Sequence, residues 1–152
     1  MMDSIFEVLK IQRNLAVQFL DHYTLEQLNT IPEGYRNNLI WNIAHMVVTQ
    51  QLLVYKFSGL PMQVSDELVE RYKKGTEVTA PATETEIAEI KTLLVDTAVQ
   101  NEKDFANGLF VNYAEYPTST GFVIKNVADA LSFNVFHEGM HIGIMMRLRK
   151  LV

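Results

Sequence analysis

Four long stretches of this 152-residue chain repeat their apolar residues at helical spacing, and all four prolines fall between those stretches. The first runs from about Asp3 to His22, with Ile5, Leu9, Ala16 and Leu20 on one side. A short turn capped by Thr24 follows, and Ile31-Pro32-Glu33-Gly34 breaks it. The second predicted helix covers Asn37 to Ser58 and is closed by Gly59 and Pro61. Residues 60–82 make a long connection holding a short helix, about Asp66 to Lys74, capped by Ser65 and stopped by Gly75. The third long helix opens with a capping box, Thr83 with Glu86, and buries Ile87, Ile90, Leu94, Ala98 and Phe105. Asn107-Gly108 ends it. Residues 109–125 are the least helical and suggest an extended loop, with Phe110–Tyr113 pairing Gly121–Ile124. The fourth helix starts at an Asn126 cap and reaches about Arg149. Four helices joined by one long crossover imply an all-α four-helix bundle, with residues 1–152 as one domain.

The fourth helix places His137 and His141 one turn apart on a face shared with Val127, Ala130, Asn134, Met145 and Leu148. That face is the interior stripe, so both imidazoles are expected to point inward. The opposite face carries Ala128, Ser132, Gly139, Gly143 and Met146. A mid-helix glycine costs about 1 kcal/mol against alanine. Close approach of another helix, from the same chain or a second subunit, would compensate.

An inward histidine pair of this kind can grip a transition metal if a third ligand joins it. The chain has no cysteine, which excludes thiolate ligands, disulfides and a cysteine nucleophile. Only eleven residues follow His141, so the third ligand must lie upstream, at His22 or His45. His45 shares its side of the second helix with Asn38, Trp41, Asn42, Thr49 and Leu52. That mixture suits the wall of a partly polar cleft. His22 falls where the first helix meets a polar turn and reads as a surface or capping residue.

His137-Glu138-Gly139-Met140-His141 also fits the zinc-protease pattern H-E-x-x-H. The downstream ligand of that class is missing, and no accompanying sheet is evident. Glu138 lies about 100° around the helix from His137. It can flank an ion as a base, bond an imidazole, or serve a neighbouring helix. A bundle with ordinary buried histidines and no metal is the competing reading.

The sets Trp41-Asn42-Ile43-Ala44-His45, Asn126-Val127-Ala128-Asp129-Ala130-Leu131 and His137-Glu138-Gly139-Met140-His141-Ile142-Gly143 resemble the DinB-like superfamily. That group includes YfiT-like metal-dependent hydrolases and bacillithiol transferases. The resemblance covers nearly the whole chain in order and spacing. It implies an up-down-down-up four-helix bundle, and a divalent metal, zinc or nickel, on His45, His137 and His141. It also implies a homodimer, which would use the glycine-bearing back of the fourth helix.

The resemblance does not imply one reaction. A thiol-dependent transferase acting on small electrophiles comes first, with a low-molecular-weight thiol as co-substrate supplied from solution. A hydrolase using metal-activated water is the alternative, and a non-catalytic metal-binding stress-response bundle is another. Lys56 and Arg147 border the inner faces, but both are expected to face solvent. The net charge of −5 disfavours a nucleic-acid partner. No apolar run is long enough to cross a membrane. Asp3, Glu7, Lys10 and Arg13 interrupt the first segment, unlike a signal peptide, so a cytoplasmic protein with a small-molecule substrate is expected.

Overall fold

The computed structural model describes residues 2–152 and is mostly helical. Helix α1 spans Met2–His22, α2 Leu25–Asn29, α3 Leu39–Gln50, α4 Asp66–Tyr72, α5 Glu84–Ala106 and α6 Val127–Leu148. Among the described residues the only sheet is one antiparallel pair, β1 Tyr116–Pro117 and β2 Val123–Ile124. Helix α1 packs on α5 and α6, and α3 packs on the same two. The apolar interior between them takes Ala16 from α1, Ile43 and Val47 from α3, Leu94 from α5 and Met145 from α6.

The helix starts follow side-chain capping. Thr24, Asn38, Ser65, Thr83 and Asn126 each accept a backbone N–H from the first turn of the helix they precede. Asn38 rather than Asn37 opens α3. The Thr83 hydroxyl caps α5 as expected, but Glu86 does not close the reciprocal half of a capping box. Its carboxylate accepts from the Tyr72 hydroxyl at 2.7 Å and pairs with Arg71 at 2.9 Å. Those bonds tie α4 to α5.

The second predicted helix is helical to Ser58 but changes kind. After Gln50 the backbone widens into a π turn over Gln51–Tyr55, then tightens into a 3-10 turn over Lys56–Ser58. Gly59 closes it with φ of 72°, a conformation glycine adopts without a Cβ clash. Side chains take up carbonyls along this stretch: Tyr113 donates to the Leu53 carbonyl at 2.7 Å and Ser58 to that of Val54 at 2.6 Å.

The strand pair lies closer to its turn than the sequence suggests. Tyr116 faces Ile124 and Pro117 faces Val123. The turn sets this register, because Thr118 N–H donates to the Phe122 carbonyl and Gly121 N–H to that of Thr118. Residues 110–113 therefore do not pair with 121–124. Tyr113 instead braces the π turn, and Ala114 N–H donates to the Phe57 carbonyl at 2.7 Å.

On α6 the buried stripe holds Ala130, Asn134, His141, Met145 and Leu148, and it also takes in Glu138. On the back of α6, a Cβ at Gly139 would lie 3.3 Å from Gln12 Nε2, so α1 is the helix that approaches there. A Cβ at Gly143 would meet nothing within this chain.

Arg13 explains the burial of Glu138. Arg13 is 1% exposed and Glu138 0%. Arg13 Nε donates to both carboxylate oxygens at 3.0 and 2.9 Å, and Nη2 donates to Oε1 at 2.7 Å. Asn134 Nδ2 adds a bond to Oε1 at 2.9 Å. A third donor group, Nη1, reaches Thr97 Oγ1 on α5 at 3.3 Å. Breaking a buried pair strands a charge and costs about 3–5 kcal/mol, whereas replacing both partners by apolar groups is often neutral. Arg13→Met alone should therefore lose about 3–5 kcal/mol in urea unfolding. Arg13→Met with Glu138→Leu should recover most of that loss; a double variant as unstable as the single one would contradict this account.

Candidate metal centre

Helix α3 contributes His45 and α6 contributes His137 and His141. Each offers one ring nitrogen to a cluster in which all three atoms lie within 4.8 Å of one another. The cluster can hold a metal ion. His45 is 4% exposed and His141 9%, while His137 is half-buried beside the cleft.

Two of the rings have their orientation set from behind. His45 Nδ1 lies 2.6 Å from the Tyr72 carbonyl, which can only accept, so Nδ1 carries the proton and Nε2 keeps its lone pair. His141 Nδ1 lies 2.8 Å from Asn42 Oδ1, which fixes the same tautomer. Such partners orient a ligating imidazole and raise its basicity. Trp41 stacks on the His45 ring at 4.5 Å and 12°, and its indole N–H donates to Thr76 Oγ1 at 3.1 Å.

The donor set fits a cation. His141 Nε2 and His137 Nε2 face each other at 3.2 Å. With the His141 proton on Nδ1, that contact needs a proton or a positive ion between the two nitrogens. His137 Nδ1 is buried without a hydrogen-bond partner.

Burial keeps the imidazoles neutral. His137 is pushed down to about 3, first by desolvation, then by the charges of His141, His45, Arg13 and Lys74. His141 is lowered to about 4 by desolvation and by His45. His45 is lowered by desolvation, with Lys74 adding to the effect and the Tyr72 hydrogen bond opposing it. Proton competition with a metal should therefore begin well below the usual histidine range.

The cluster sits at the head of a cleft of about 510 Å³. Thr49, Leu52, Leu53, Lys56 and Phe57 all line it. These positions recur at four- and seven-residue spacing along one helical side, and the π turn over Gln51–Tyr55 reduces the drift of Leu53 away from His45 and Thr49. Phe133 and Met140 of α6 and Tyr116 of β1 line other parts of the wall.

The structure brings His45, His137 and His141 together and keeps His22 apart. His22 is exposed at the end of α1, where Nδ1 bonds the Gln18 carbonyl at 2.7 Å. Glu138 makes its hydrogen bonds to Arg13 and Asn134 rather than to an imidazole. Its position one residue after His137 turns it toward α1 and α5. Of the site's other parts, Asn42 and Trp41 were legible on the His45 face. The Tyr72 carbonyl was not, because a backbone acceptor leaves no mark in a side-chain pattern. Lys56, expected to face solvent, is exposed but lines the cleft.

These shifts fix how the metal-free protein responds to acid. A histidine lowered from its ordinary 6.5 binds its proton in the unfolded chain first. Its contribution to stability is present above about pH 6.5 and is lost as pH falls toward the folded value. In chelator, the thermal midpoint should fall from neutral pH to about pH 4.5. The fall should be shallower for His137→Gln with His141→Gln. Equal slopes for the two proteins would show that these imidazoles do not carry the effect.

No curated protein matches the chain. A family model for the DinB superfamily matches residues 9–145, a span that contains all three clustered histidines. The match covers most of the sequence, and the chain belongs to the DinB superfamily.

Proposed function

We propose that His45, His137 and His141 hold one divalent metal ion, zinc or nickel, on an up-down-down-up four-helix bundle. The cleft above it is then the active site of a thiol-dependent transferase acting on small electrophiles. The observation that carries this reading is the convergence of three neutral imidazoles at the head of a cleft of about 510 Å³. Three protein ligands leave coordination positions open, as catalytic sites require. An ion held there would lower the pKa of a thiol or a water entering the open position.

The protein's own residues supply placement. Asn42 and the Tyr72 carbonyl hold the tautomers that aim two lone pairs at the centre. Leu53, Phe57 and Phe133 make an apolar wall that excludes water and strengthens local electrostatics. Glu70 is the only carboxylate residue among those lining the cleft, and it pairs with Lys73 at 2.6 Å. A thiol ionises at about 8.5 and needs less help than water, which favours thiol transfer over hydrolysis in a cleft so poor in bases.

Titration with zinc should show one site per chain. His45→Ala, His137→Ala and His141→Ala should each abolish tight binding, and His22→Ala should bind like wild type. Asn42→Leu, which keeps the ligands but frees His141, should weaken binding about 10–100-fold. Wild-type affinity in His45→Ala would remove the proposed third ligand. Turnover of an electrophile only when thiol is present supports transfer; equal turnover without thiol assigns the protein to hydrolysis.

We also propose a homodimer formed through the back of α6. There Gly143 meets no neighbour within this chain, and Phe136 on the adjoining flank is 52% exposed. Light scattering should give twice the chain mass, and Gly143→Leu should shift it toward monomer. A wild-type monomer at high concentration would exclude the dimer.

A further inference from the structure

The walls of the cleft divide by chemistry. Leu52, Leu53, Phe57 and Phe133 give them an apolar part. Among the described residues that line them are also three lysines, Lys56, Lys73 and Lys74, against the single carboxylate of Glu70. Glu70 is spent on Lys73 at 2.6 Å. Among the described residues, Lys56 and Lys74 form no ion pair. Two cations without an ion-pair partner on the lining of one cleft run against the chain's net charge of −5.

The backbone that bears Lys73 and Lys74 is tied to the site. The residue before them, Tyr72, gives its carbonyl to His45 at 2.6 Å. Two residues after Lys74, the Thr76 hydroxyl accepts from Trp41 Nε1 at 3.1 Å and donates to the Lys73 carbonyl at 2.9 Å. Trp41 itself stacks on His45. The Lys73–Lys74 segment is thus anchored on both sides to residues that touch the triad. Lys56 approaches from the other wall, on the 3-10 turn that follows the π turn.

We propose that the cleft takes a small organic anion, with its apolar body against Leu53, Phe57 and Phe133 and its anionic group held between Lys56 and Lys74. The reacting end of that molecule then faces His45, His137 and His141. This assignment of substrate class rests on the cleft being the active site. The neutral hydroxyls of Thr118, Ser119 and Thr120 also line the cleft and add no opposing charge. Lysines at an exposed rim steer and select anions while leaving them free to depart, which a deeply buried pair would not.

The test uses the metal-free full chain, so that a carboxylate cannot bind through the ion. Calorimetry compares 4-phenylbutyrate, its neutral amide 4-phenylbutanamide, and acetate. Phenylbutyrate should bind about tenfold more tightly than the amide at low salt, and added salt should erase the difference. Lys56→Gln with Lys74→Gln should bring phenylbutyrate to the level of the amide without changing the amide or the thermal midpoint. Acetate should bind more weakly than phenylbutyrate, because it lacks the apolar body.

Equal binding of acid and amide to wild type would overturn the proposal, as would a preference that survives the double substitution. No binding of phenylbutyrate at millimolar concentration, or acetate binding equally well, would also overturn it. Zinc titration of the same protein separates the two readings. A lysine-dependent preference in a chain that binds no zinc upholds the anion subsite and removes the metal. Zinc binding without that preference does the reverse.

Discussion

The Arg13–Glu138 pair fixes how α6 is turned about its own axis. Adjacent helix residues differ by about 100°, so a carboxylate anchored toward α1 and α5 leaves its preceding neighbour facing another way. That neighbour is His137, and one turn on is His141, both directed at α3. The pair is fully desolvated and has donors from Asn134 as well as Arg13. Any rotation of α6 that moved the imidazoles would strand a buried charge. A salt bridge on one side of the helix thereby specifies the geometry of the histidines on the other.

The second constraint is the kind of helix that α3 becomes. A regular helix from Leu39 to Ser58 would carry Phe57 and Leu53 partly away from the His45 side. The π turn over Gln51–Tyr55 slows the winding and reduces that drift. Leu60 N–H donates to the Tyr55 carbonyl, and Gln63 N–H donates to the Gln51 side chain at 2.7 Å. The following loop therefore holds the irregular turn in place. Leu52, Leu53, Lys56 and Phe57 of this stretch line the cleft together with the triad.

The triad itself combines two opposite pressures. Desolvation lowers all three imidazole pKa values and keeps the rings neutral, with lone pairs available. Exposure of part of His137 keeps the cluster open to the cleft. Lys74 contributes to both the neutral state of the rings and the positive rim above them. One short segment after α4 therefore supports ring orientation through Tyr72, ring neutrality through Lys74 and, in our proposal, recognition of an anion.

Much of this was legible in the residues before any coordinates. Helical periodicity and the caps at Thr24, Ser65, Thr83 and Asn126 set the helices, because those signals are local. The i, i+4 spacing of His137 and His141, with His45 on a face shared with Trp41 and Asn42, was also local and located the cluster. Tertiary structure decided what depends on partners distant in sequence. Glu86 looked like half of a capping box but bonds α4, since a hydroxyl and a guanidinium there outcompete its own backbone. Glu138 could flank an ion, bond an imidazole or serve a neighbouring helix, and Arg13, 125 positions away, is what holds it. The strand register moved because the Thr118–Gly121 turn, not strand propensity, fixed which residues face each other. The Tyr72 carbonyl meets His45 because α4 docks on α3, and the π turn is braced by Tyr113 from a loop some 60 positions on. Such docking is long-range, and periodicity along one segment carries no record of it.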